Sequence, residues 1–148
     1  MLMRPRVWLT ILGFLLLALG VPSSRALGDH RIPAGAALNV RTLQTLDPDS
    51  AWPGMRVEAV VDDPIDLGGR ILLPRGAPAR LEVVYVTPSS NMEGPNRIIL
   101  RVLSIEGGDR VYPVVTNAVQ LAGPSKTHLR VPAETRMQFQ LNTSVKVE

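Results

Sequence analysis

Between residue 36 and the end of the chain, apolar and polar side chains alternate with a period of two, and prolines and glycines interrupt the alternation about every ten residues. A period of two places successive side chains on opposite faces of an extended strand, whereas a helix needs 3.6. Met55-Arg56-Val57-Glu58-Ala59-Val60-Val61 alternates until its last residue, and Met137-Gln138-Phe139-Gln140-Leu141-Asn142 alternates throughout. Ile98 to Ile105 is apolar on both faces, which predicts a strand covered on both sides. The pattern predicts strands near 36–43, 55–61, 70–73, 78–87, 97–105, 110–117, 135–141 and 144–147. Asp66-Leu67-Gly68-Gly69 and Glu106-Gly107-Gly108-Asp109 carry the paired glycines of tight hairpins. Pro88 to Asn96 reads as a longer hairpin tip, and Asp47 to Gly54 as a loop with a turn near Asp49–Trp52. No other window shows a helical stripe. Six to eight short, mostly antiparallel strands with regular turns define an all-β domain, a small barrel or sandwich.

One phrase recurs at the strand starts: Ile32-Pro33-Ala34-Gly35-Ala36, Leu73-Pro74-Arg75-Gly76-Ala77 and Val131-Pro132-Ala133-Glu134-Thr135. Proline has no N–H to give a ladder and belongs at the beginning of a strand. Glycine two positions later permits a bulge or a sharp bend, a way to turn a barrel corner. The third copy holds Glu134 in place of glycine, which predicts a gentler corner.

Residues 1–28 break the pattern. Arg4 and Arg6 precede an unbroken apolar run from Val7 to Val21, and Pro22-Ser23-Ser24-Arg25-Ala26 follows it. This is the layout of a signal peptide, with cleavage near Ala26 or Gly28. The run is 15 residues, short of the roughly 20 that span a bilayer as a helix. Cleavage leaves a domain of residues 29–148 with no membrane span, bound for the periplasm or secreted. Its charge changes accordingly. The chain carries 16 basic and 13 acidic residues for a net +3, but Arg4, Arg6 and Arg25 depart with the leader and all the acids stay. The remaining 13 bases balance 13 acids, so the basic excess belongs to export and no clustered patch points to nucleic acid. The chain has no cysteine, so neither a disulfide nor a lipid anchor on cysteine is available.

The order of the phrases carries a resemblance. Ile32-Pro33-Ala34-Gly35 opens a strand, Pro53-Gly54 precedes Arg56–Val61, and Asp63-Pro64-Ile65 leads into a Gly-Gly turn. Ile71-Leu72-Leu73-Pro74-Arg75-Gly76 then precedes a strand beginning Ala79-Arg80-Leu81. Over residues 32–117 this resembles the C-terminal β-barrel domain of the TrbI-like channel proteins of type IV secretion and conjugation systems. It also resembles small exported bacterial proteins with the same strand phrases. The TrbI-like proteins have a cytoplasmic start, an uncleaved inner-membrane helix, a proline-rich linker and a helical hairpin that crosses the outer membrane. Here a signal peptide stands at the front, and the interval Ala122–Leu129 is short and polar. The resemblance implies the barrel and not the channel.

Chemistry-bearing residues are sparse. Asp62, Asp63 and Asp66 form the densest carboxylate group, a candidate metal or acid–base site, but they lack calcium-loop spacing and read more simply as a solvated hairpin end. His30 and His128 have no acidic partner nearby in sequence and make a weak zinc pair, with His30 in a frayed segment. There is no G-x-S-x-G elbow and no cysteine nucleophile. Four aromatic residues follow the leader. Tyr85, Tyr112 and Phe139 fall in alternating strands and read as core, while Trp52 lies in a loop, where it either plugs a barrel end or anchors a partner. The last residues, Asn142, Thr143, Ser144 and Val145, could offer a short strand edge for pairing. These features predict a non-catalytic envelope protein without cofactor or metal, an interaction or structural module whose partners are other envelope proteins or further copies of itself. A small-ligand or glycan-binding module with its site near Trp52 is the alternative, and a hydrolase using the aspartates is a distant third.

Overall fold

The computed structural model describes residues 30–88, 96–123 and 129–148; the leader, His128 and most of the predicted 88–96 hairpin tip lie outside them. The described chain is all β. Its strands are β1 (Arg31–Ile32), β2 (Ala37–Thr42), β3 (Arg56–Val61), β4 (Ile65–Leu67), β5 (Arg70–Leu73), β6 (Pro78–Thr87), β7 (Arg97–Gly107), β8 (Arg110–Pro113), β9 (Val119–Ala122), β10 (Arg136–Gln140) and β11 (Val145–Lys146). All eight predicted strands are present, and β1, β4 and β9 are additions too short for periodicity to reveal. Among the described residues no helix is long and apolar enough to cross a membrane.

The main sheet runs β10-β2-β3-β6-β7-β8, with β9 also on β7, and every pairing is antiparallel. It curls into half a barrel. The inward residues of the alternating strands, among them Leu38, Val40, Val57, Leu81, Val83, Ile98, Leu100 and Phe139, make one core, each contributing about 1.5–3 kcal/mol of burial. β7 is long enough to serve two short partners: β9 lies along Arg97–Leu100 and β8 along Ser104–Gly107. The predicted 110–117 strand therefore ends at Pro113. Val114 still donates to Leu103 of β7 at 2.9 Å, and Thr116 forms a bridge with Leu141 at the end of β10. The Thr116 hydroxyl accepts the N–H of Val102 at 3.1 Å, filling the gap between β8 and β9. That bridge ties one side of the curled sheet to the other.

The repeated phrase is one device. In each copy the third residue after the apolar one has positive φ: Gly35 at 84°, Gly76 at 87° and Glu134 at 70°. Its N–H donates to a residue at the end of a neighbouring strand, and that residue donates back to the carbonyl of the next position, with all bonds between 2.7 and 3.0 Å. The opposed residues are Leu141, Val61 and Thr42 respectively. Two residues facing one, the first left-handed, is a G1-type bulge. The Glu134 corner is thus no gentler than the others. Its left-handed backbone is held by Thr42, whose hydroxyl accepts the N–H of Thr135 at 3.2 Å, and by Thr135 donating its own hydroxyl to Pro132 at 2.6 Å; Arg41 pairs with the Glu134 carboxylate. A fourth corner stands in the predicted loop. Trp52-Pro53-Gly54-Met55 has Gly54 at φ 90°, with Gly54 donating to Val83 at 2.7 Å and Val83 donating back to Met55 at 2.9 Å. It launches β3 as the other corners launch β2, β6 and β10.

Candidate interaction site

The loop that carries Trp52 is built rather than loose. Leu46 is buried and exchanges two backbone bonds with Val131. Asp47 then caps a single turn: its carbonyl accepts from Ser50 and Ala51, and its carboxylate accepts from Asp49. Pro53 and Gly54 occupy the two central positions of the next turn, closed by the N–H of Met55 donating to Trp52 at 3.1 Å; Pro and Gly in that order are the signature of a type II turn. Ala51 and Met55 pack on the core. The indole between them is 59% exposed, so Trp52 does not plug the barrel. It stands out from a corner whose backbone is fixed on both sides.

The corner abuts β6 at Val83, and there the strand changes character. A register shift between Val83 and Tyr85 marks a bulge at Val84. A bulge moves every later side chain to the other face. Tyr85, which unbroken alternation would point inward, is therefore 49% exposed beside exposed Val84, correcting its assignment to the core; Tyr112 and Phe139 are buried as expected. Tyr85 lies opposite the half-buried Ile99 of β7. Trp52, Val84 and Tyr85 thus belong to the same end of the sheet, where β3 begins and β6 approaches its end.

The terminal residues are placed differently from expectation. Asn142, Thr143 and Ser144 are exposed, and Asn142 donates its N–H to Val115 at 2.8 Å. Val145 is buried and pairs with Ile32, so β11 is already engaged by β1. Val147 donates to His30 at 2.7 Å, and Tyr112 bonds both backbone groups of Glu148. The chain end is stitched down, and His30, far from frayed, is part of the stitching.

The aspartates do not converge on one site. Asp62, only 3% exposed, is no solvated hairpin end: Arg41, Arg75 and Arg136 surround it at 3.4, 3.5 and 3.1 Å. Each arginine lies in or beside a corner, so the carboxylate links the 74–77 turn to the start of β10. Asp63 accepts from the Asn39 amide at 2.9 Å, and Asp66 accepts the N–H of Gly69 within its own hairpin. Asp62 and Asp63 line a cleft of about 350 Å³ with Asn39, Arg136, Met137 and Gln138, but three guanidiniums against Asp62 oppose a cation there. Among the described residues no group of three or more His, Asp or Glu could hold a metal ion.

Comparison with protein-family models, with curated proteins and with solved structures finds no match for the chain.

Proposed function

We propose that the protein is an exported, non-catalytic module of the bacterial envelope, with a barrel of the TrbI-like kind, that binds other proteins through the rim around Trp52. One observation carries this reading: a large indole is 59% exposed on a corner whose neighbours are tied to the core and to β6. An aromatic ring on a rigid support contributes contact area at little entropic cost, as interface anchors do. The leader-like first 28 residues and the lack of a converging chemical constellation among the described residues agree with it.

The test is a photocrosslinking amino acid at position 52 of the full chain, produced in a bacterial host that exports it. Discrete protein adducts are expected in the envelope fraction, from a chain whose mass shows cleavage near Ala26 or Gly28. An uncleaved cytoplasmic chain, or a residue 52 that captures no protein, overturns the reading. The exposure of two aromatic residues, Trp52 and Tyr85, at one end of the sheet favours one second reading, a glycan platform. A glycan that shifts the Trp52 emission, and does not do so in Tyr85→Ala, would establish it.

A further inference from the structure

We infer that the outer part of β6, Tyr85–Thr87, is the pairing edge for a second copy of this chain. The inference rests on reading the Trp52 rim as an interaction surface and names what that surface takes. β3 pairs with β6 only from Pro78 to Glu82, and the Gly54 corner adds its two bonds at Val83. Beyond Val83 the strand continues to Thr87 against β7 alone. Among the described residues nothing bonds its other edge.

That edge carries no charge. Sheet edges are guarded by charge, proline, cover, bulges or shortness; here the guards are the bulge at Val84 and Pro88 just past the strand end. β8 begins at Arg110 and ends at Pro113, the β1–β11 pair carries Arg31 and Lys146, and β9 lies against β10. Val83-Val84-Tyr85-Val86-Thr87 has neither charge nor proline and is composed of strong strand formers.

The occupant follows from symmetry and length. A two-fold axis normal to the sheet brings an edge against itself, so any charge near the axis would meet its own copy; this edge has none. Side chains directly opposite must lie on one face. An axis through a residue keeps opposed side chains on one face. An axis through Tyr85 would set Thr87 against Val83, whose backbone already serves the Gly54 corner, so the axis passes through Val86. Val86 then meets Val86 of the second copy and Tyr85 meets Thr87, with the bulged Val84 and Pro88 flanking the pairing. The open stretch ends at the Trp52–Met55 corner on one side and at Pro88 on the other. An identical stretch fills it, and Pro88, with no N–H to pair, falls beside the Trp52 corner. An aromatic residue against a β-branched one is among the favourable cross-strand pairs.

The absence of native cysteine makes the test selective. Val86→Cys in the exported full chain places two thiols on the axis, in directly opposed positions. Val84→Cys places them roughly 14 Å apart along the strands, beyond the reach of a disulfide. Mild oxidation should yield a covalent dimer from Val86→Cys and far less from Val84→Cys. Wild type should show concentration-dependent dimers in sedimentation velocity, and Tyr85→Lys should remain a folded monomer. A wild type that stays monomeric at every concentration overturns the inference, as does a dimer that Val86→Cys crosslinks no better than Val84→Cys. Residue 52 crosslinking to a different envelope protein, with the chain itself monomeric, would keep the proposed function and reject self-pairing. A glycan response with neither would reject both.

Discussion

The two halves of β6 are the same strand under different management. From Pro78 to Val83 it lies between β3 and β7, buries Ala79, Leu81 and Val83 in the core, and carries charge on its outer face. Arg80 pairs with Glu58 across β3, and Glu82 with Arg101 across β7. From Val84 to Thr87 it has one partner strand and no charge, and its two most exposed side chains are apolar. The inner half is saturated with backbone bonds and opposite charges, so it specifies register and offers nothing to another molecule. The outer half offers both a free edge and apolar surface. A strand can serve as scaffold and as contact site at once if its neighbour stops halfway, and here the Gly54 corner stops it.

The largest break in that comparison comes from truncating one side chain in each half. Leu81 is fully buried, and Leu81→Ala should cost about 2–5 kcal/mol from lost burial and the cavity left behind. Tyr85→Ala removes a larger side chain, but one that is half in solvent, and should cost under about 1 kcal/mol. Urea unfolding monitored by far-ultraviolet dichroism measures both. A Tyr85→Ala loss as large as that of Leu81→Ala would mean that the outer half is core after all.

A smaller effect is expected at the boundary between the halves. Gly54 has φ 90°, and a Cβ built there would meet nothing within 4 Å. Gly54→Ala therefore tests the backbone alone, and left-handed strain should cost about 1–2 kcal/mol. An unchanged urea midpoint would show that the corner relaxes without strain, and so does not fix where β3 leaves β6.

Much of this architecture is legible in the sequence because it depends on local rules. Period-two alternation marks the main strands, and the repeated proline phrases, two with Gly and one with Glu134, mark three of the four corners. The fourth escaped because Trp52-Pro53-Gly54 sets its proline one place later, yet it has the same left-handed glycine and the same pair of bonds. What sequence could not show is what distant residues impose. Glu134 looks like a weak corner until Thr42 and Arg41, on another strand, hold it left-handed. Asp62 looks like part of a solvated acidic turn until β2, the 74–77 turn and β10 each bring an arginine to it. The bulge at Val84 leaves no mark in composition, yet it turns Tyr85 outward and makes the rim. Trp52 was recognisable as an anomaly, a large ring in a loop. The open edge beside it required knowing that β6 pairs with β3 and that β3 begins only at Arg56, opposite Glu82.

The smallest effect concerns the guard itself. Glu82 accepts from Arg101 at 2.8 Å, its side chain is 17% exposed, and Arg56 stands opposite on β3. Partial burial weakens solvent screening of this pair, but Arg101 remains half exposed, so the interaction belongs to the surface range. Glu82→Gln keeps the shape and removes the charge, and should cost about 0.5–1 kcal/mol at low salt. The loss should shrink as salt rises, since exposed charges are screened over about 10 Å at 0.1 M. A double-mutant cycle with Arg101→Gln isolates the pair. The same cycle on Tyr85 and Ile99, the facing apolar pair of the outer half, should give a coupling that salt does not weaken. Two couplings with one salt dependence would mean that the halves of β6 are held by the same forces, and the contrast drawn between them would be lost.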